Sequence, residues 1–241
     1  MTRIFLGQII VKDDVITLDK ENSHYVASVL RMRIGEEFII VGGDGKEAVV
    51  KVNSIDKNSV SVEALEVRDN ESEPAKFITL YQSVSKGERM DLTIQKSVEL
   101  GVSRIVPVWS ERCIARSDKA SKIDRWQKIA LEAARQSGRG IVPEVQEPMN
   151  YKDALKNASE NCDLVLFPWE EAQGLTLKGA LEGKQYESVG IFIGPEGGFS
   201  EEEADKAKEN GAIPVTLGKR ILRTETAGPA VLSMLLFHDE L

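Results

Sequence analysis

The sequence predicts an α/β protein in two parts: a small β-barrel-like domain over residues 1–72, then a mainly parallel sheet with helices on both faces over residues 73–241. Three observations carry this expectation. Short apolar runs separated by glycine turns fill Arg3–Val67. The polar stretch Arg68–Pro74 interrupts that pattern and ends in proline, as linkers do. From Lys76 onward, strand-like runs alternate with helix-like ones, and repeated β-then-α builds a parallel sheet covered by helices.

Taken in order, Val15–Leu18 is a short strand. Asn22-Ser23 can cap a helix that runs through Leu30, with His24 in its first turn. Phe38–Val41 and Ala48–Val52 flank Gly42-Gly43-Asp44-Gly45-Lys46, a hairpin signal. Val60–Leu65 alternates with period two, as a half-buried strand does. In the second part, Phe77–Tyr81 is a strand, and Ser85 with Glu88 forms a capping box for a helix that stops at Gly101. Ile105–Trp109 is a strand, followed by a helix from Ser121 or Asp124 to Gln136. Leu164–Phe167 and Val189–Ile193 are buried strands. Ser200 and Glu203 make a second capping box for a helix ending at Gly211. Ile213–Leu217 is the last strand and Thr226–Phe237 the last helix, with Pro229 in its first turn.

Composition bounds the function. In 241 residues, 41% are hydrophobic and 29% charged, an ordinary globular balance. No run is apolar enough for a membrane span, and Met1–Gly7 turns polar too soon for a signal peptide. Cys113 and Cys162 belong to no CxxC pattern and read as reduced thiols of a cytoplasmic protein. His24 and His238 offer neither zinc-ligand spacing nor a place in a Ser-His-Asp triad, so no metal is expected. The net charge is −8, yet between Tyr81 and Gly140 twelve cations stand against seven anions. A local basic face of this kind suits docking to phosphate, and it equally suits solvated helix faces.

Two segments near the C-terminus carry the chemistry. Gly194-Pro195-Glu196-Gly197-Gly198-Phe199-Ser200 follows a buried strand and opens a helix. Leu217-Gly218-Lys219-Arg220-Ile221-Leu222-Arg223-Thr224-Glu225-Thr226-Ala227 joins the last strand to the last helix. Loops at the carboxyl edge of a parallel sheet are where ligands bind. Gly197 and Gly198 let backbone approach a ligand, and free amides at the following helix can point at it. A tight turn with no ligand demands the same glycines. The segment is neither GxGxxG nor a P-loop, so the dinucleotide and NTP fingerprints both fail, and an NAD-type oxidoreductase lacks its signature here. Arg220 and Arg223 suit phosphate or a planar carbonyl edge, while Thr224 or Thr226 can simply cap the last helix.

Read together with Lys86–Asp91, Lys96–Val102, Arg125–Arg139, His24-Tyr25 and Val29-Leu30-Arg31, these segments resemble the bacterial 16S ribosomal RNA uracil-N3 methyltransferases, the ribosomal RNA small subunit methyltransferase E family of the SPOUT superfamily. The resemblance spans essentially the whole chain. It implies a PUA-like N-terminal β-barrel, a C-terminal trefoil-knot α/β domain, and a homodimer formed through the knot domain. It implies S-adenosylmethionine as cofactor, with 16S rRNA in the small subunit as partner. The cofactor residues implied are Leu166, Phe167, Gly194, Pro195, Glu196, Gly197, Gly198, Leu217, Gly218, Ile221, Leu222 and Thr224. For RNA they are His24, Arg31, Arg33, Lys86, Arg89, Arg112, Arg116, Arg139 and Arg220. In the chemistry so implied, Arg223 stabilises charge on a uracil carbonyl and Glu225 or Glu196 accepts the N3 proton. Two alternatives stay open at this level, a SPOUT enzyme with another RNA target and a non-catalytic clamp in ribosome assembly.

Overall fold

The computed structural model describes residues 2–57, 59–113, 120–172 and 174–240. The chain divides into two compact units, Met1–Glu73 with Ala134–Ile141, and Pro74–Ala133 with Val142–Leu241. Among the described residues no helix is long and apolar enough to cross a membrane.

The first unit is built on a five-stranded sheet of β1 (Arg3–Phe5), β2 (Val15–Thr17), β3 (Glu37–Val41), β4 (Glu47–Ile55) and β5 (Val60–Arg68), in the order β1-β3-β4-β5-β2. Alternation sets its inner face. Val60, Val62 and Ala64 of β5 turn inward with Ala48, Val50 and Val52 of β4, beside Phe38 and Ile40. The glycine hairpin forms between β3 and β4, with Gly45 at φ 78° and Gly42 N–H donating to Lys46 O.

The first helix differs from expectation at its cap. Helix α1 is Lys20–His24, capped by Asp19, whose carboxylate accepts from Asn22 N–H at 2.8 Å. Ser23 is instead buried: its hydroxyl donates to Leu18 O and accepts from Val60 N–H. The chain then continues as a π-helical turn over Tyr25–Val29.

One carboxylate is buried in this unit. Glu47 meets Arg3, Arg68 and Asn70. Burial pushes its pKa up, but hydrogen bonds from Arg3 and Asn70, the charge of Arg3 and the Arg68 hydrogen bond outweigh that and hold it below the ordinary carboxylate value.

The second unit carries β6 (Phe77–Ser83), β7 (Arg104–Trp109), β8 (Glu144–Val145), β9 (Met149–Asn150), β10 (Leu164–Pro168), β11 (Ser188–Ile193) and β12 (Ile213–Val215). The strand order is β12-β10-β11-β6-β7-β8, with β9 beside β7, and every pairing is parallel. The chain moves outward from β6 to β8, then crosses to the other side of β6. The centre of the sheet is apolar on both faces because helices cover both. The rings of Tyr81 and Phe192 stack at 4.5 Å between centroids.

The helices are α2 (Arg89–Glu99), α3 (Ala120–Ser137), α4 (Tyr151–Asn161), α5 (Leu177–Leu181), α6 (Glu201–Glu209) and α7 (Thr224–Asp239). The Ser200–Glu203 capping box forms at α6. The Ser85–Glu88 box does not form. Helix α2 begins after Glu88 with no side-chain cap, because Gly87 turns the chain at φ 67° and Ser85 is buried. Helix α7 begins two residues before Thr226: Arg223 O accepts from the amides of both Thr226 and Ala227. Pro229 therefore falls in the second turn rather than the first.

Candidate active site

At the carboxyl ends of β10, β11 and β12 three loops enclose a cavity of about 260 Å³. The first, Pro168–Glu170, leaves β10. The second is the glycine loop after β11, which contributes Ile193, Gly194, Pro195, Gly198 and Phe199. The third runs from Thr216 to Leu222 and leads into α7 through Thr224 and Ala227.

The glycine loop is compact for a reason its residues supply. Gly198 has φ 65°, and its amide donates to Pro195 O at 3.0 Å. At Gly194 a Cβ would come within 3.2 Å of Gly198 Cα and C and 3.3 Å of the Phe199 ring, so a side chain there would have to push its neighbours back by a few tenths of an ångström. Phe199 in turn stacks on Phe167 at 4.6 Å.

The loop is pinned from outside at three points. Thr224 Oγ1 donates to Gly194 O at 2.7 Å and accepts from Gln82 Nε2 at 2.9 Å. Arg112 donates to Gly197 O at 2.7 Å. The buried Glu203 carboxylate accepts from the amides of Ser200 and Glu111, and Ser200 donates to Glu111. The capping box engages the amides of Ser200 and Glu203.

The third loop is open by comparison. Gly218 has φ 106°, and Thr216 Oγ1 accepts from its amide. Among the described residues, the amides of Lys219 to Arg223 have no hydrogen-bond partner. Leu217, Ile221 and Leu222 line the cavity beside them, and Ile221 is exposed at its mouth.

Arg223 is the residue before α7, with a side chain 80% exposed and Nη1 3.9 Å from Glu225 Oε1. Glu225 is 14% exposed, and its Oε2 lies 3.9 Å from Arg89 Nε with no hydrogen-bond partner. Arg89 donates to Glu196 at 2.7 Å, as does the Lys86 amide at 3.0 Å. Arg223, Glu225, Arg89 and Glu196 thus alternate in charge. Burial pushes the Glu196 pKa up, but the Lys86 amide, its own amide and Arg89 together hold it below the ordinary carboxylate value. A carboxylate so engaged is a poor proton acceptor, and Glu196 does not line the cavity.

The remaining residues singled out from sequence divide as follows. Gly194, Pro195, Gly198, Leu217, Gly218, Ile221, Leu222 and Thr224 line the cavity, whereas Leu166, Phe167, Gly197, Arg223 and Glu225 do not. Leu166 and Phe167 are fully buried in β10, one residue short of the loop. His24, Arg31, Arg33, Lys86, Arg89, Arg112 and Arg220 are exposed. Arg116 lies outside the described residues. Arg139 is a correction: it is 3% exposed and paired with Glu73, so it is no surface contact for RNA. Pro168, Trp169, Glu170, Thr216, Lys219 and Ala227 also line the cavity. Extending each loop to the end of its strand would have included several of them. Gln82, behind Thr224, gives no local signal inside an apolar strand.

A parallel sheet with a cavity at its strand-end loops and the exposed Arg220 on the wall is an arrangement that an RNA methyltransferase can use. Residues 71–236 match the family model of an RNA methyltransferase domain, and residues 18–65 that of an RNA methyltransferase PUA domain. The chain is 35% identical to the ribosomal RNA small subunit methyltransferase E of Buchnera aphidicola subsp. Acyrthosiphon pisum, over 98% of this chain and 94% of that one. It is 33% identical to the Bacillus subtilis protein of the same name, over 100% and 98%. The crystal structure of the Neisseria gonorrhoeae protein of that name, bound to S-adenosyl methionine, is similar at a TM-score of 0.89 and 37% identity, covering 99% of this chain and 98% of that one. The chain belongs to the ribosomal RNA small subunit methyltransferase E family.

Proposed function

We propose that the protein transfers the methyl group of S-adenosylmethionine to N3 of a uridine in the 16S RNA of the small ribosomal subunit, acting in the cytoplasm as a homodimer with a knotted second domain. The observation that carries this reading is the cavity between the glycine loop and the Thr216–Leu222 loop, with Arg223 set in sequence between the lining residues Leu222 and Thr224. The cavity suits that cofactor in three respects. Gly194 and Gly198 bring bare backbone to its wall, and the open amides of Lys219–Arg223 lie beside apolar Leu217, Ile221 and Leu222, a pairing that reads a flat heterocycle. The Glu170 carboxylate on the wall complements a positively charged centre.

When bound, the cofactor supplies an electrophilic methyl on a sulfonium sulfur. The chain's own residues orient the uracil and manage its proton. Transfer forms the N3–CH3 bond, breaks the S–CH3 bond and releases the N3 proton. As that proton leaves, negative charge spreads onto the ring carbonyl oxygens, where the exposed guanidinium of Arg223 stabilises it. Glu225, whose Oε1 lies 3.9 Å from the exposed Arg223 guanidinium, receives the proton. Lys86, Arg112, Lys219, Arg220 and Arg223 attract the RNA backbone, as do His24, Arg31 and Arg33 on the PUA domain. Met234 and Phe237, exposed on α7, support burial against a second copy.

The test is methylation of small subunits from a strain lacking the gene, with the product mapped by nucleoside mass spectrometry. The expected product is 3-methyluridine at one position. Arg223→Ala is expected to lower kcat by about 100-fold or more with cofactor affinity nearly unchanged. Methylation at another atom, or normal turnover by Arg223→Ala, would refute the assignment.

A further inference from the structure

Gln82, the next-to-last residue of β6, has no solvent exposure, and it is not part of the cavity wall. Its orientation is fixed by chemistry. Its amide lies 3.1 Å from Ser83 O, a carbonyl that only accepts, so the NH2 group must face it. The same NH2 reaches Thr224 Oγ1. That hydroxyl lies 2.7 Å from Gly194 O, again an acceptor, so the one proton of Thr224 goes to Gly194. The relay runs in one direction: Gln82 donates to Thr224, and Thr224 donates to Gly194. Thr224 and Gly194 both line the cavity.

The other end of the amide points to the same role. Gln82 Oε1 is buried without a hydrogen-bond partner. A buried acceptor left without a donor opposes folding, and an apolar side chain of similar length would avoid that cost. What the glutamine adds is the pair of bonds from its NH2.

We infer that Gln82 is a positioning residue: acting through the Thr224 hydroxyl, it fixes Gly194 O and sets the glycine loop in the conformation that binds S-adenosylmethionine. This rests on the cofactor reading above. Because Gln82 reaches the cavity only through Thr224, removing either residue removes the same function, and the effects of the two substitutions are not additive.

The experiment is calorimetric titration of the full chain with S-adenosylmethionine, accompanied by thermal unfolding. Gln82→Met and Thr224→Val are each expected to weaken binding by about tenfold, and the double variant by no more than the worse of the two. Thr224→Ser keeps the hydroxyl and is expected to bind within about threefold of the unaltered protein. Unchanged affinity in Gln82→Met, or additive losses in the double variant, would overturn the inference. Should Gln82→Met fail to fold, unchanged affinity in Thr224→Val would overturn it equally. Absence of heat with the unaltered protein is a different result, since it refutes the cofactor reading itself.

Discussion

Gly194 and Gly197 stand three residues apart in one loop, yet a methyl group added to each is expected to act differently. At Gly194 the new Cβ would lie 3.2 Å from Gly198 Cα and C and 3.3 Å from Phe199 Cδ2. Two of those atoms are backbone and the third belongs to a ring stacked on Phe167, so none yields easily. Overpacking of this kind costs about 1–3 kcal/mol. Should the whole cost fall on the loop arrangement that binds cofactor, affinity drops by about 5- to 150-fold. At Gly197 the nearest atoms are Arg112 Cβ and Cδ at 3.5 Å, an ordinary contact with a flexible side chain, and its φ is not in the left-handed region. Gly197→Ala is expected to change stability by less than about 0.5 kcal/mol, or to raise it slightly by restricting the unfolded chain. Gly198→Ala falls between: its Cβ has room, 3.6 Å from Glu170 Oε1, but its φ of 65° costs a residue with a Cβ about 1–2 kcal/mol. Thermal unfolding and titration with S-adenosylmethionine on the three variants give the order. Binding by Gly194→Ala at the unaltered level, or a loss in Gly197→Ala as large as in Gly194→Ala, would refute the steric reasoning.

Other consequences can be measured alongside. Glu47→Gln leaves Arg3 and Arg68 facing a neutral side chain, and is expected to destabilise the first unit by about 3–5 kcal/mol in urea unfolding. The Glu47 pKa lies below its ordinary 4.5, so its contribution is complete above that pH and fades as pH falls through the folded value; the Gln variant should lack this acid-side loss. Arg139→Ala removes a buried ion pair with Glu73 and is expected to cost about 3 kcal/mol of stability, while the salt dependence of RNA binding stays as it was. Lys219→Ala and Arg220→Ala do the reverse, each reducing the slope of log affinity against log salt by about 0.7 with stability unaltered.

The parallel sheet was legible because its central strands are unbroken apolar runs, as burial on both faces requires, and because Ser200 with Glu203 signals a helix start by itself. The start of α7 was not. Thr224 and Thr226 are both plausible caps, and the choice falls to Arg223, whose carbonyl rather than its side chain makes the first bonds. Pairing partners far apart in sequence are equally hidden. Arg139 reads as one more cation on a basic helix until Glu73, 66 residues away, is found against it. In the site, Gly198 and Gly218 take the positive φ that favours glycine, whereas Gly194 is set by close contact rather than by its backbone angles. Leu166 and Phe167 lie in the strand that leads to the cavity, but their side chains are buried in the core and the cavity wall begins at Pro168. Gln82 could not be found locally, since its role depends on a hydroxyl 142 residues further on.

A glycine loop is the least ordered element a chain can place beside a ligand, because glycine loses the most freedom on folding. Here the bonds that order it come mostly from outside the loop. Gly194 O is held by Thr224, Gly197 O by Arg112, and the far end by Glu203 and Glu111. Ordering that is complete before a ligand arrives need not be supplied by binding energy. In the reaction proposed above, donor, methyl and acceptor must lie in line, so its rate depends strongly on orientation. On the proposed reading, the side chains that fix the loop from behind serve the same function as those that face the cavity.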